Sequence, residues 1–412
     1  MRLNLIILPV ATLMACAEPI IEEGYYQYPF QEPVQLVSPA GVSSAQPHLS
    51  ISHDDQVLLS WIEPVESRDA LKFSILNDSE WVESRTLASG ENWFVNWADF
   101  PSVTPINDDL WAAHWLVTQD DGYGYDAVIS TSKDSGSSWS EPSLLHLDGT
   151  PTEHGFVTLF PLQSGIGAVW LDGRNFIQDG EFVFENSSGE LLGMSLRYAQ
   201  FDSNGEHVLE QELDSFVCDC CQTEVALIEE DALLVYRGRT TEEVRDIHVQ
   251  RLTGNAWGPP KVIHDDGWVI EGCPINGPAI DARGDDVAVA WFSAANGRPT
   301  VKLAWSVNGG EDFSDPIEVD SEGIFGHVDV ASIGNGSSAV SWLRSEEGRV
   351  SLMVQKIQNT GELHPPLLVA NINIARPLDF PQMVYDGSRL IFAWTDIGGT
   401  ERVQTAFVNL KP

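Results

Sequence analysis

One pattern recurs seven times along the chain: a short apolar strand that ends in a large aromatic residue, as in Leu58-Leu59-Ser60-Trp61. The aromatic anchors are Trp61, Trp115, Trp170, Tyr236, Trp291, Trp342 and Trp394, spaced by 54, 55, 66, 55, 51 and 52 residues. Self-similarity at such a period marks a repeat architecture and constrains the fold more than any local propensity. Ahead of each anchor strand, across an Asp/Gly/Asn turn, a partner strand starts near Pro47, Pro101, Gly155, Cys221, Ile275, Val328 and Pro381. Behind the anchor comes an alternating strand such as Leu71-Lys72-Phe73-Ser74-Ile75, then an outer one such as Pro316-Ile317-Glu318-Val319. Four strands per period predict a propeller blade. No stretch keeps a helical period, which sets a helical solenoid aside. The long third gap is taken up by a Gly/Ser/Glu-rich insertion, Ile177 to Leu192.

The ends of the chain fit a closed ring. The last repeat runs out after its third strand, Arg402 to Leu410, and the first is preceded by a spare outer-type strand, Pro33 to Val37. That spare strand predicts closure of the last blade, which removes an exposed sheet edge. The expectation is an all-β, seven-bladed propeller as a single domain over 31–412, monomeric because its edges need no partner. A six-bladed ring with an extra packed sheet is the alternative.

The charge balance bears on partners. With 61 acidic and 22 basic side chains the formal charge is −39. Such a surface repels nucleic acid phosphates, so no nucleic acid partner is expected. It reads first as a solvated acidic surface and second as an attraction for cations or cationic partners.

The N-terminus reads as an export signal over 1–15. One positive residue, Arg2, precedes an apolar run, Leu5 to Leu13, that is too short to span a bilayer. The run ends at Leu13-Met14-Ala15-Cys16, which resembles the bacterial lipobox. That resemblance implies cleavage before Cys16, lipid on its sulfur and amine, and a tether over 16–30. Two or more acyl chains give a stable anchor. Ala17 at the next position implies no inner-membrane retention, so the expected location is the outer membrane or periplasmic face of a Gram-negative envelope.

Ser132-Lys133-Asp134-Ser135-Gly136-Ser137-Ser138-Trp139 matches the Asp-box, Ser-x-Asp-x-Gly-x-x-Trp, at every defined position. Ser306 to Phe313 is a degenerate second copy, with Asn308 for Asp and Phe313 for Trp. The chain therefore resembles the sialidase-like, Asp-box propeller superfamily. It is similar in particular to a group of bacterial lipoproteins labelled exo-alpha-sialidase, through Asn96 to Pro101, Thr152 to Phe156, Trp170 to Arg174, Cys218 to Thr223 and Gly272 to Pro278. The resemblance implies the propeller fold and, as an alternative function, a glycoside hydrolase acting on terminal acidic sugars. Such enzymes clamp the substrate carboxylate with three arginines, whose planar fork suits it. They use a Tyr/Glu nucleophile and an Asp acid/base. Here the early Phe/Tyr-Arg-Ile-Pro block is missing, and Arg68 and Arg85 fall in a loop and an outer strand. Asp172, Arg174, Arg237 and Arg239 are the catalytic candidates, with Arg245, Arg298 and Arg344 further along. Asp172-Gly173-Arg174 reads equally as a pair closing a turn.

Repeat register places the residues ahead of the inner strands around one mouth of the axis: His48, Asp99, Glu153, His154, Cys218 to Cys221, Cys273, His327 and Asp379. Asp99, Glu153, His154, Asn276 and His327 are the expected ligand-binding residues. His114, inside an anchor strand, reads as a core histidine. Cys218, Cys220, Cys221 and Cys273 have three readings. In an exported protein the first is disulfide bonding, easiest between Cys273 and one of the other three. The second is a copper(I) or zinc site, since thiolates with imidazoles suit soft and borderline ions. The third is a redox dithiol. The function expected is a lipid-anchored propeller that binds a ligand, a glycan or protein among the choices, or a metal at this mouth. A protein-interaction scaffold is the remaining alternative.

Overall fold

The computed structural model describes residues 28–119, 124–372, 380–398 and 401–411. The export signal, Cys16 and Asp379 lie outside the described residues.

Seven antiparallel sheets form the ring, each running from an inner strand at the axis to an outer strand at the rim. The inner strands of blades I to VII are Ala45–Ile51, Ser102–Pro105, His154–Leu162, Glu224–Ile228, Ala279–Arg283, Ile324–Gly334 and Gln382–Tyr385. Each is followed by the anchor strand, which is covered on both faces by neighbouring blades and so is apolar without alternation. Gly165–Asp172 is buried along its whole length. The insertion after Trp170 forms a short 3-10 turn, Arg174–Phe176, and a small hairpin, Ile177–Gln178 with Glu181–Phe182.

Val34–Leu36 pairs antiparallel with Arg402–Asn409, so the N-terminal strand completes blade VII as its outermost strand. Phe30, assigned by sequence to the tether, is instead packed into the core and bridges Leu410. The apolar core is divided: each of the seven blade junctions holds its own cluster, including the junction of blades VII and I, where Leu36, Ile391 and Phe407 meet Leu59 and Trp61.

A polar device recurs with the anchors. Trp61, Trp170, Trp291 and Trp342 donate their indole N–H groups to Glu63, Asp172, Asp266 and Asp320 at 2.8, 2.8, 2.8 and 2.9 Å. A cation then pairs with each carboxylate: Lys72, Arg174, Lys302 and Arg344. In blade IV, Tyr236 Oη donates to Asp214 at 2.8 Å. The indole needs a partner once buried, and the charge needs a counter-charge.

The Asp-box behaves as a hairpin clasp at the rim. Gly136 N–H donates to Ser132 Oγ at 2.9 Å, and Ser138 N–H to Asp134 Oδ1 at 2.7 Å. Gly136 has φ 76°, and a Cβ there would meet Phe73 and Trp111 at 2.9 Å. Only glycine satisfies both conditions. Asn308 and Gly310 repeat the geometry in blade V.

Candidate functional site

The inner strands start at one mouth of the axis, and all seven line a cavity of about 100 Å³ there. Asp99, Glu224, Asp329, His48, Phe100, Phe156, Phe380 and Gln222 are among the residues that line it. Gln222 spans from blade IV to blade II, donating to Ala98 O at 2.6 Å. Among the described residues that line it there is no lysine or arginine.

The acids also latch adjacent blades. Asp99 Oδ1 accepts from Phe156 N–H at 2.7 Å, Glu224 Oε2 from Ile280 N–H at 2.9 Å, Asp281 Oδ2 from Ser332 N–H at 2.7 Å and Asp329 Oδ2 from Met383 N–H at 2.6 Å. Burial pushes the Asp99 carboxyl up to about 7, against the hydrogen bonds from Phe156 and Tyr125 that favour its ionised form. Asp329 rises to about 7 and Asp281 to about 6 for the same reason, and Glu224 also rises, first through burial and then through the charges of Asp329 and Asp281. His48 is pulled down to about 4 by burial, so its ring is neutral at pH 7.

Backbone strain surrounds the same mouth. Gln46, Phe156, Ile275 and His327 all have positive φ, 59°, 54°, 48° and 52°, at the entry to four of the inner strands. The register of blades I, III and VI breaks at these points. For bulky residues, and for β-branched Ile275 above all, this conformation is costly and persists where the surroundings over-determine it. Bulges of this kind re-aim a side chain. His327 is turned so that its ring stacks on Phe380, centroids 4.0 Å apart, with Trp97 beyond at 6.4 Å.

The expected axial residues divide on this geometry. His48 and Asp99 line the cavity. His327 joins the aromatic group beside it, and Asn276 works on the backbone, accepting from His327 N–H at 2.8 Å. Glu153 is exposed. His154 turns away from the cavity into the junction of blades II and III. His114 is fully buried against Ser102 Oγ at 2.8 Å.

At that junction a second polar group is assembled, and most of it escaped the sequence reading. The rings of His146 and His154 stack with centroids 3.5 Å apart. Asp126, Asp148 and Asp172 surround them. Arg174 ties the group down, 2.6 Å from Asp172, 3.2 Å from Asp148 and 2.9 Å from Glu210. Although burial works the other way, the Asp126 and Asp148 carboxylates hold His146 up at about 9.

The four cysteines are paired as disulfides, Cys218 with Cys221 and Cys220 with Cys273, at Cα separations of 5.8 and 6.1 Å. The second joins the entries of blades IV and V beside the mouth. The Sγ atoms of Cys218, Cys220 and Cys221 lie within 4.8 Å of one another, within reach of one soft ion if reduced.

Each arginine singled out by sequence is already engaged. Arg237 is buried, donates to the carbonyls of Asn276, Arg245 and Phe292 at 2.9, 2.6 and 2.7 Å, and lies over the Trp268 ring. Burial lowers it to about 9. Arg239 pairs with Asp219 and Glu243 at 2.9 and 2.7 Å, and Arg245 with Glu243 at 2.6 Å. Arg298 sits on the surface with Glu318 at 2.6 Å. Arg174 and Asp172 belong to the anchor device of blade III.

No protein-family model matches the chain, and no curated protein matches it. Solved structures do. A protein of unknown function from Dyadobacter fermentans DSM 18053 is 12% identical with a TM-score of 0.53, covering 93% of this chain and 100% of that one. A polysaccharide lyase described as an ulvan lyase is 10% identical with a TM-score of 0.51, covering 93% and 95%. A Hadza microbial sialidase is 13% identical with a TM-score of 0.42, covering 73% and 63%. What is shared with the first two at these identities is the fold alone.

Proposed function

We propose that the protein is an exported, lipid-anchored binding propeller whose axial mouth takes a small organic cation, a protonated or quaternary amine. The observation that carries this reading is the make-up of the cavity: Asp99, Glu224 and Asp329 line it with Phe100, Phe156 and Phe380, and among the described residues that line it the neutral His48 is the one basic side chain. Aromatic faces attract a cation, and so do the carboxyls once ionised, which for Asp99 and Asp329 is above about pH 7. A cavity of about 100 Å³ is smaller than the ~150 Å³ that encloses benzene, which restricts the ligand to a few heavy atoms. Export and anchoring rest on the lipobox at Cys16, and disulfide pairing suits an oxidising compartment. The hydrolase alternative needs two or three free guanidinium groups in one pocket, and the arginines above are bound to other partners. A thermal-shift screen of small ammonium ions, carboxylates and sialosides on the full chain in detergent tests the reading. Stabilisation by ammonium ions supports it, and stabilisation by carboxylates or sialosides alone overturns it.

A further inference from the structure

At the junction of blades II and III, Asp126, His146 and His154 converge from three separate segments. Asp126 lies on the third strand of blade II, Tyr125–Ser132. His146 follows the outer strand of that blade, Ser143–Leu144, and His154 opens the inner strand of blade III. None of the three lines the axial cavity. We propose that this trio is a binding site for a borderline divalent cation, with zinc the best fit.

The hydrogen bonds of the outer nitrogens carry the argument. His146 Nδ1 is 2.7 Å from Asp148 Oδ1, and His154 Nε2 is 3.3 Å from Asp148 Oδ2. A carboxylate accepts, so each ring donates on that side, and one aspartate orients both rings. The remaining ring nitrogens, His146 Nε2 and His154 Nδ1, lie 3.2 and 3.6 Å from Asp126 Oδ1, and the three residues each bring a ligand atom within 4.8 Å of the others. The Tyr125 carbonyl is 3.3 Å from the same His154 nitrogen. Carboxylate and carbonyl oxygens therefore face both nitrogens, an arrangement that needs a cation between them, a ring proton when the site is empty and the divalent ion when it is filled.

A second observation points the same way. His146 is 1% exposed, and its Nε2 has no aligned hydrogen bond, only the ion-pair approach of Asp126 at 3.2 Å. Metal-binding histidines characteristically give their other N–H to a carboxylate, which is the role Asp148 has here. Arg174 holds Asp148 and Asp172 in turn. Imidazole with carboxylate is a donor set for zinc and its neighbours rather than for calcium or magnesium. Asp126 is 20% exposed on its side chain, which gives the ion a way in. Coordination in both ring planes requires the stacked rings to fan apart as the ion enters.

The test uses the full chain in detergent, stripped with a chelator and titrated with zinc and with cobalt(II). One equivalent should bind, with cobalt bands typical of nitrogen and oxygen ligands and no thiolate charge-transfer band. His146→Gln should abolish this site, and Asp148→Asn should weaken it about 10- to 100-fold. If His146→Gln does not fold, the cobalt spectrum of the unaltered protein still decides. Absence of binding, a thiolate spectrum, or unchanged affinity in a folded His146→Gln variant overturns the proposal.

Discussion

Asp320 accepts the indole N–H of Trp342 at 2.9 Å, and the same carboxylate carries the guanidinium of Arg344. The arrangement recurs with Trp61, Trp170 and Trp291, in three other blades. It gives a structural meaning to Asp172 and Arg174, a pair that sequence alone read equally as a substrate clamp. Asp320→Ala leaves the buried indole nitrogen and Arg344 unpaired. A loss of roughly 2–4 kcal/mol follows, read from the urea midpoint. Ligand binding at the mouth should not change.

Ring closure depends on a three-residue strand. Leu36 is 5% exposed and sits in the cluster that joins blades VII and I. Leu36→Ala should cost about 2–5 kcal/mol. Its effect should appear in hydrogen exchange first along Arg402–Asn409, the strand it pairs with. Uniform exchange with no weakening of that strand would argue against closure by Val34–Leu36.

The disulfide between Cys220 and Cys273 closes a loop of 53 residues between neighbouring blades. Removing it with a Cys220→Ser, Cys273→Ser double variant should cost about 2–4 kcal/mol. Under denaturing conditions the unaltered protein should show no free thiol from these four cysteines.

Asp99 makes stability fall as pH rises. Its folded-state value of about 7 lies above the ordinary value of 3.8, so the folded protein holds this proton more tightly than the unfolded chain does. The contribution is fully present below the ordinary value and is lost as pH rises to about 7. At about 1.4 kcal/mol per unit, the loss between pH 5 and pH 8 is at most about 3 kcal/mol. Asp99→Asn removes this term. Denaturation of the two proteins at pH 5 and pH 8 should therefore show a smaller drop in the variant.

Much of the fold was legible because it is periodic. The anchors from Trp61 to Trp394, the closing strand and the hairpin at Ser132 are all written locally, in patterns of burial and turn chemistry. The mouth was legible only in part. His48 and Asp99 followed from register, but Phe156, Ile275 and His327 are ordinary residues whose positive φ has no signature in the sequence. The latches Glu224, Asp281 and Asp329 look like surface acids until the strands curl around the axis. The trio of Asp126, His146 and His154 had a weaker signal still. His146 and Asp148 lie in a connection between blades, and only the packing of blade III against blade II brings them to His154. An His-x-Asp pair in a loop beside a strand-entry histidine was the one clue available.

The central claim, a cation site at the axial mouth, is tested most directly by calorimetric titration of the full chain with tetramethylammonium at pH 8. Tert-butanol and acetate serve as the neutral and anionic comparators. The account predicts saturable binding of the ammonium ion alone, weaker at pH 6, where Asp99 is protonated, and at least tenfold weaker in Asp99→Asn. Binding of acetate in its place, or ammonium binding indifferent to both pH and Asp99→Asn, would contradict it.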